Sequence, residues 1–193
     1  EPDRPTMVYT LSEALWARYW LPSHDWPNER WTSETSITVP ASMTAITNGE
    51  LMETRSDPGG SSKTFSWRNE IPTDPHMMGF VIGELVEIAD DGSSPALPIY
   101  TQAGQEAAAR NTFRLVRPMI EFYSERLGVP FVFPSYTHVT VVEHVHGAME
   151  QAGFSFVDPI WLTTGPQGEA PEDWVERGYT AHMITHQWFG GIV

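Results

Sequence analysis

The first half of the chain shows the alternation of polar and apolar side chains that is typical of β-strands. Residues 36–39 alternate, and residues 43–47 form a second short segment that ends at Asn48-Gly49, a dipeptide favoured in hairpin turns. The apolar run at residues 78–88 suits a strand that is buried on both faces. Short strands at this spacing predict a β-rich, sandwich-like arrangement.

The period of the pattern changes after the small and polar residues 89–95, which makes this segment the predicted domain boundary. From residue 103 to residue 127, apolar positions recur every three or four residues and predict a helix. Gly128 should end this helix, and Pro118 should kink it or divide it in two.

The remaining pattern predicts one more strand and one more helix. Alternation over residues 138–146 predicts a strand that ends at Gly147, and residues 171–189 predict a helix that starts at a proline. The predicted fold class is therefore α+β. Residues 1–92 form a β-rich amino-terminal domain, and residues 93–193 open a second domain of mixed helices and strands.

Composition narrows the classes of partner and of metal ligand. The 193 residues include 25 acidic and 11 basic side chains, a net charge of −14, and Lys63 is the one lysine. Because basic residues do not cluster, we expect no nucleic-acid partner. The acidic surface mildly favours cationic ligands, although a merely solvated surface is the simpler interpretation. No apolar stretch reaches membrane-spanning length.

The chain contains no cysteine, so any metal must be bound by His, Asp or Glu, and the compartment stays open. His182 and His186 lie four residues apart on the second predicted helix, project from one face and can bind the same ion. By spacing alone they are as typical of a structural pair as of a metal site. A weaker alternative is a site at Glu143, His144 and His146, but alternating histidines on a strand are more often a polar face.

Three stretches resemble motifs of one enzyme family. Residues 17–27 are similar to the segment A-R-x-x-F-P-C-F-D-E-P, and residues 147–151, G-A-M-E-Q, resemble the exopeptidase motif G-A-M-E-N. Residues 181–190, A-H-M-I-T-H-Q-W-F-G, closely resemble the zinc helix H-E-x-x-H-Q-W-F-G. In this order the motifs are typical of the zinc aminopeptidases of the aminopeptidase N family.

The resemblance implies a fold, a cofactor and a substrate. Members of the family join an amino-terminal β domain to a thermolysin-like catalytic domain, in which two histidines, here His182 and His186, bind zinc. A carboxylate, here Glu150, binds the free amine of a peptide, which restricts cleavage to the amino terminus because an internal amide carries no charge. The backbone that aligns the substrate is that of Gly147, Ala148 and Met149.

Two further substrate contacts follow from the resemblance. Gln151 replaces the asparagine of the motif and keeps its amide, displaced by one methylene. Glu13 matches a family glutamate near the substrate. The expected partner is thus a peptide with a free amino terminus.

Departures from the family pattern bear on activity. Met183 occupies the position of the general-base glutamate, and a thioether cannot accept a proton from metal-bound water. The family's third zinc ligand, a glutamate, and its oxyanion-stabilising tyrosine fall beyond Val193. We therefore expect a truncated zinc metallo-aminopeptidase that is inactive as written. The alternative is a catalytically dead aminopeptidase-like scaffold that serves as a binding or assembly module.

Overall fold

The computed structural model describes residues 6–90, 92–162 and 171–192, with the side chains of residues 171–177 left aside. Backbone contacts divide the chain into two compact units, of which the first ends at Leu85 and the second begins at Val86. The assignment of residues 1–92 and 93–193 to two domains remains a prediction of the sequence.

The first unit is built from antiparallel strands. In chain order they are β1 (Met7–Tyr9), β2 (Trp31–Pro40), β3 (Thr44–Thr47), β4 (Glu50–Ser56), β5 (Ser62–Thr73) and β6 (Phe80–Gly83). They form two three-stranded sheets, with strand orders β1-β6-β3 and β2-β5-β4, and β3 lies against β2 and β5. Apolar side chains from both sheets are buried in this unit: Val39, Ala45, Ile46, Phe65, Trp67 and Val81.

The prediction of a hairpin at Asn48-Gly49 is wrong, because β3 and β4 belong to different sheets. The Asn48 side chain is buried, donates to the Met77 carbonyl and accepts from the Gly79 N–H, each over 2.9 Å. Gly49 has a φ of +94°, and a Cβ there would lie 2.1 Å from the Arg68 carbonyl oxygen. Asn48 and Gly49 therefore lie where the chain passes from one sheet to the other, and their conformation is set by hydrogen bonds to residues distant in the sequence.

The second unit combines a mixed sheet with helices. Its elements are β7 (Val86–Ile88), β8 (Ile99–Thr101), α1 (Glu106–Phe113), α2 (Val116–Leu127), β9 (Thr137–Thr140), β10 (Ala148–Gln151), β11 (Phe154–Val157) and α3 (Pro171–Thr185). The strand order is β10-β11-β9-β8-β7. The central pairs β11·β9 and β9·β8 are parallel, and the outer pairs β10·β11 and β7·β8 are antiparallel. β10 therefore lies at one edge of the described sheet.

The helical pattern at residues 103–127 is confirmed as two helices, and the division falls at Arg114 and Leu115, before Pro118. Pro118 occupies the first turn of α2, where an N–H has no partner within the helix, so proline costs no hydrogen bond there. Gly128 ends α2 in the left-handed conformation with a φ of 67°, as the pattern predicts.

Two predicted strands prove shorter than the apolar pattern. The run at residues 78–88 contains two strands, β6 and β7, which pair in different sheets. The alternating stretch at residues 138–146 continues as a strand only to Thr140. Beyond it, the Asp158 carboxylate accepts the His144 N–H at 2.9 Å, and this bond replaces a ladder bond and turns the chain. Periodicity alone does not show such a competitor.

The architecture is thus α+β, with a β-rich first part followed by a mixed second part, which confirms the predicted fold class. Among the helices in the described ranges, none is long and apolar enough to cross a membrane.

Candidate metal and substrate site

The last turn of α3 brings His182 and His186 together. The His186 N–H donates to the His182 carbonyl over 3.2 Å, so helical spacing continues one residue past the end of α3. The two ring centroids are 4.6 Å apart, and the two Nε2 atoms face each other at 3.0 Å. The predicted common direction of the two imidazoles is therefore present in the structure.

A hydrogen bond to the backbone defines which ring nitrogen of His186 is available to bind a metal ion. Its Nδ1 lies 3.1 Å from the Phe189 carbonyl oxygen, which can only accept, so Nδ1 carries the proton. In the neutral ring Nε2 is then unprotonated and presents a lone pair to the site. Metal-binding histidines are commonly oriented by such a bond from the second ring nitrogen.

Glu150 supplies a carboxylate to the same place. Its Oε1 lies 3.3 Å from His186 Nε2, and its side chain is only 15% exposed. One ligand atom from each of Glu150, His182 and His186 lies within 4.8 Å of the other two, and within the described ranges this is the group of three that could hold a metal ion. Ligands about 2.0–2.1 Å from zinc in a tetrahedron are about 3.3 Å from one another, so the 3.0 Å between the two histidine Nε2 atoms fits a shared zinc ion.

The edge strand β10 places Glu150 on the site side. Successive side chains of a strand point to opposite faces, so Ala148 and Glu150 share one face. Met149 and Gln151 point to the other, where they are 4% and 0% exposed. The register aligns Glu150 with Ser155 of β11. The motif thus forms an edge strand of the described sheet.

The side chain of Gln151 does not join Glu150. Its amide is buried on the opposite face, and neither amide atom has a hydrogen-bond partner among the residues that the structure describes. Its backbone carbonyl accepts a 3.0 Å hydrogen bond from Gln187 Nε2. Gln151 therefore contributes to this region through its main chain.

Gly147 precedes the edge strand in a conformation that favours glycine. Its φ is +75°, and a Cβ would lie 2.6 Å from Trp161 Nε1. The Gly147 N–H donates to the His144 carbonyl, and its own carbonyl accepts from the Asp158 N–H. The glycine of the motif is thus required by the turn that leads into β10.

Sequence reasoning missed the residues that hold α3 against the sheet. Gln187 Oε1 accepts from the Gly153 N–H at 2.9 Å, so its amide joins the end of α3 to the turn between β10 and β11. Trp188 Nε1 donates to the Val129 carbonyl at 2.9 Å, and its ring contacts Tyr123 and Phe131. Gln187 and Trp188 are the Q-W of the stretch that resembles the zinc helix, and this resemblance was the signal in the sequence that could have identified them.

Met183 is only 2% exposed and contributes an apolar thioether to the core at the position where the family has its general base. Glu13 lies in the turn that follows β1 in the first unit, and its side chain is exposed. The structure thus brings together Glu150, His182 and His186 from the predicted set.

The weaker alternative site finds no support in the geometry. The rings of His144 and His146 are 6.1 Å apart on a turn and not on a strand, and His144 Nδ1 accepts from the His146 N–H at 3.3 Å. Burial lowers the pKa of His144 to about 4, the nearby His146 acts in the same direction, and Asp158 opposes them. In the described part of the chain, these residues and Glu143 form no three-ligand group.

Comparison with known proteins identifies the family. A model of the peptidase M1 N-terminal domain matches residues 2–74, and a model of the peptidase family M1 domain matches residues 112–193. The chain therefore belongs to peptidase family M1, the aminopeptidase N-like metallopeptidases.

Individual relatives of the chain carry aminopeptidase names, in agreement with the family. The chain is 25% identical to a leucyl aminopeptidase of Saccharolobus solfataricus over 97% of its own length and 24% of that protein. It is 25% identical to aminopeptidase M1 of Arabidopsis thaliana over 99% of the chain and 22% of the plant protein. It is 24% identical to aminopeptidase N of Acetobacter pasteurianus over 97% of the chain and 53% of that protein. The chain thus spans about a quarter of the first two relatives and about half of the third.

Proposed function

We propose that this chain belongs to a zinc metallo-aminopeptidase that removes residues from the amino termini of peptides. His182 and His186 bind zinc, Glu150 binds the substrate ammonium, and the backbone of Gly147, Ala148 and Met149 aligns the peptide. Gln151 continues the same edge strand through its main chain, and a contact of Glu13 with the substrate remains a prediction of the sequence. The observation that carries this proposal is the convergence of Glu150 with the two histidine Nε2 atoms at the end of α3.

The edge strand explains how a peptide can be aligned. β10 pairs with β11 on one side, so the backbone N–H and C=O groups of its other edge can pair with an extended peptide. The half-buried Glu150 carboxylate favours an ammonium group at the end of such a peptide, because an internal amide offers no compensating charge. When bound, zinc would polarise the scissile carbonyl and lower the pKa of a water molecule.

We propose further that the chain as written does not hydrolyse peptides. The buried Met183 offers no atom that accepts a proton, and general-base catalysis usually supplies about a hundred- to ten-thousandfold in rate. The test is release of nitroaniline from aminoacyl nitroanilides by the purified chain with added zinc. We expect no release; turnover that a chelator abolishes would contradict the proposed inactivity.

Zinc binding is tested separately from turnover. Competition with a chromophoric chelator should show that His182→Ala and His186→Ala each weaken zinc binding by at least about a hundredfold, since each removes a ligand. Circular dichroism of the variants controls for the fold. Unchanged zinc affinity in both variants would refute the assignment of the metal site.

A catalytically dead scaffold that binds peptides is the second candidate, and the buried thioether at the base position favours it. Met183→Glu, tested in a protein that also carries the family's third ligand and tyrosine, separates the two functions. An aminopeptidase site should gain chelator-sensitive release of nitroaniline, whereas a binding module should stay without turnover although the variant is folded and binds zinc. Both functions imply a peptide partner with a free amino terminus. We propose no nucleic-acid partner.

A further inference from the structure

We propose that a pocket in the second unit binds a small organic carboxylate, with Arg110 and Arg114 on the carboxylate group and an apolar floor under the rest of the molecule. The pocket is lined by residues of β7, β8, α1 and α2, and β7 lies at the edge of the described sheet opposite to β10. Its volume is about 440 Å³. Pockets for small organic molecules usually measure about 300–1,000 Å³, so the size fits such a ligand.

Three arginines line this pocket. Arg110, Arg114 and Arg117 follow one another at intervals of four and three residues, the spacing that places side chains on one helical face. The division between α1 and α2 does not separate them, since all three side chains reach the same pocket. Three of the 11 basic residues therefore converge in a chain whose net charge is −14.

One of the three arginines already has a carboxylate partner and fixes the rim of the pocket. Arg117 Nη2 lies 3.1 Å from Asp90 Oδ2, and Arg117 Nη1 donates to the Pro95 carbonyl over 3.3 Å. The same Asp90 oxygen accepts the Leu97 N–H at 3.1 Å. These bonds hold Asp90, Pro95 and Leu97 against α2, so this side of the pocket is preformed.

The other two arginines have no carboxylate partner. Among the residues that the structure describes, the Arg110 side chain makes no hydrogen bond or ion pair, and the Arg114 side chain donates only to the Asn111 carbonyl, over 2.9 Å. Three arginines of the first unit, by contrast, each pair with a carboxylate at 3.1 Å or less. Two neighbouring guanidinium groups are thus available to an external anion, and a guanidinium can bind a carboxylate through two parallel hydrogen bonds.

The floor of the pocket defines the class of anion. Four apolar side chains form it, and three of them are at most 8% exposed: Ile88, Ile99, Phe113 and the half-buried Leu97. An inorganic anion would leave this floor in contact with water, whereas an aliphatic or aromatic body would cover it. Asp90 adds a negative charge to the lining, so a singly charged carboxylate suits the pocket better than a dianionic phosphate.

The first experiment titrates the isotope-labelled chain with phenylbutyrate and follows the arginine Nε–Hε signals by NMR. The signals of Arg110 and Arg114 should shift with a common dissociation constant. Phenylbutanol lacks the charge and acetate lacks the apolar body, so each should bind at least about tenfold more weakly. Tighter binding of phenyl phosphate than of phenylbutyrate would overturn the assignment to carboxylates. The titration is carried out without zinc, so its result does not depend on the proposed metal site.

The second experiment assigns the site with matched variants. Arg110→Gln and Arg114→Gln should each weaken phenylbutyrate binding by about five- to tenfold, because each removes charge-assisted hydrogen bonds at a solvent-accessible site. Arg126→Gln removes the same charge from an exposed position on α2 that does not line the pocket, and it should change the affinity by less than about twofold.

Two results of the second experiment would overturn the proposal. If Arg110→Gln and Arg114→Gln bind phenylbutyrate like the wild type, the arginines do not contact the anion. If all three substitutions weaken binding equally, the anion responds only to net charge and not to this pocket. Unfolding midpoints in urea show that each variant is folded, so that a loss of affinity is assigned to the pocket.

Discussion

The second unit contains two pairs of histidines that look alike in the sequence and differ in the structure. In the helical pair, His182 and His186, Nδ1 of His186 donates to a backbone carbonyl, and one ligand atom of each ring lies within 4.8 Å of the Glu150 carboxylate. In the loop pair, His144 and His146, the Nδ1 of His144 accepts from the backbone and its ring is buried. The comparison teaches that the bond made by the second ring nitrogen and the approach of a third ligand define a metal site, more than histidine spacing does.

The largest effect should come from removing the support of the helical pair. Trp188→Ala deletes a side chain that is 2% exposed and donates to Val129, and it should lower the free energy of unfolding by about 3–5 kcal/mol. Phe189→Ala, one residue further and 55% exposed, should change it by less than about 0.5 kcal/mol. Urea denaturation measures both. Similar losses at the two positions would show that α3 is not anchored through Trp188.

Acid should destabilise the protein through the loop pair. Histidine in an unfolded chain has a pKa near about 6.5, whereas burial holds the pKa of His144 at about 4. Between these values the unfolded chain binds a proton that the folded chain does not, so stability is lost as the pH falls from about 6.5 to about 4. The full loss from this residue is about 3 kcal/mol.

Urea unfolding at several pH values checks this prediction. Stability of His144→Gln should fall less steeply with pH than that of the wild type. His138, whose pKa burial lowers to about 3, acts in the same direction in both proteins. Equal slopes for variant and wild type would show that His144 is not kept neutral by the fold.

Gly147 connects the loop pair to the edge strand that carries Glu150. Its replacement should lower the free energy of unfolding by less than the two changes above. Gly147→Ala places a Cβ close to Trp161 Nε1 at a positive φ, and it should destabilise the protein by about 2 kcal/mol. Gly128→Ala has a similar φ of +67° with no atom near the added methyl group, and about 1 kcal/mol is expected. Equal losses in urea denaturation would mean that the approach of Trp161 is unimportant.

The smallest effect should follow His146→Ala. The side chain is exposed, and the backbone N–H that donates to His144 is retained in the variant. Stability should change by less than about 0.5 kcal/mol, and zinc affinity by less than about twofold. A marked loss of zinc affinity in the chelator competition would indicate that the loop pair binds the metal. It would contradict the difference drawn between the two histidine pairs.

Much of the helical structure and part of the sheets could be predicted from sequence periodicity. The two-helix pattern, the stop at Gly128 and the strand at residues 36–39 are confirmed, because each depends on a local preference. The hairpin at Asn48-Gly49 and the strand to His146 are wrong, because a buried amide and the Asp158 carboxylate compete for the backbone from a distance. Local patterns do not contain those competitors.

The sequence by itself determined the family, through motifs whose residues serve both chemistry and packing, and it determined that two histidines share one helical turn. Only the tertiary structure decided that Glu150 reaches that turn, that Gln151 is buried away from it, and that His144 is a core residue. The physical reason is that helical spacing is a property of the nearest few residues. The approach of an edge strand to a helix depends instead on Gln187 and Trp188, which bind partners far away in the chain.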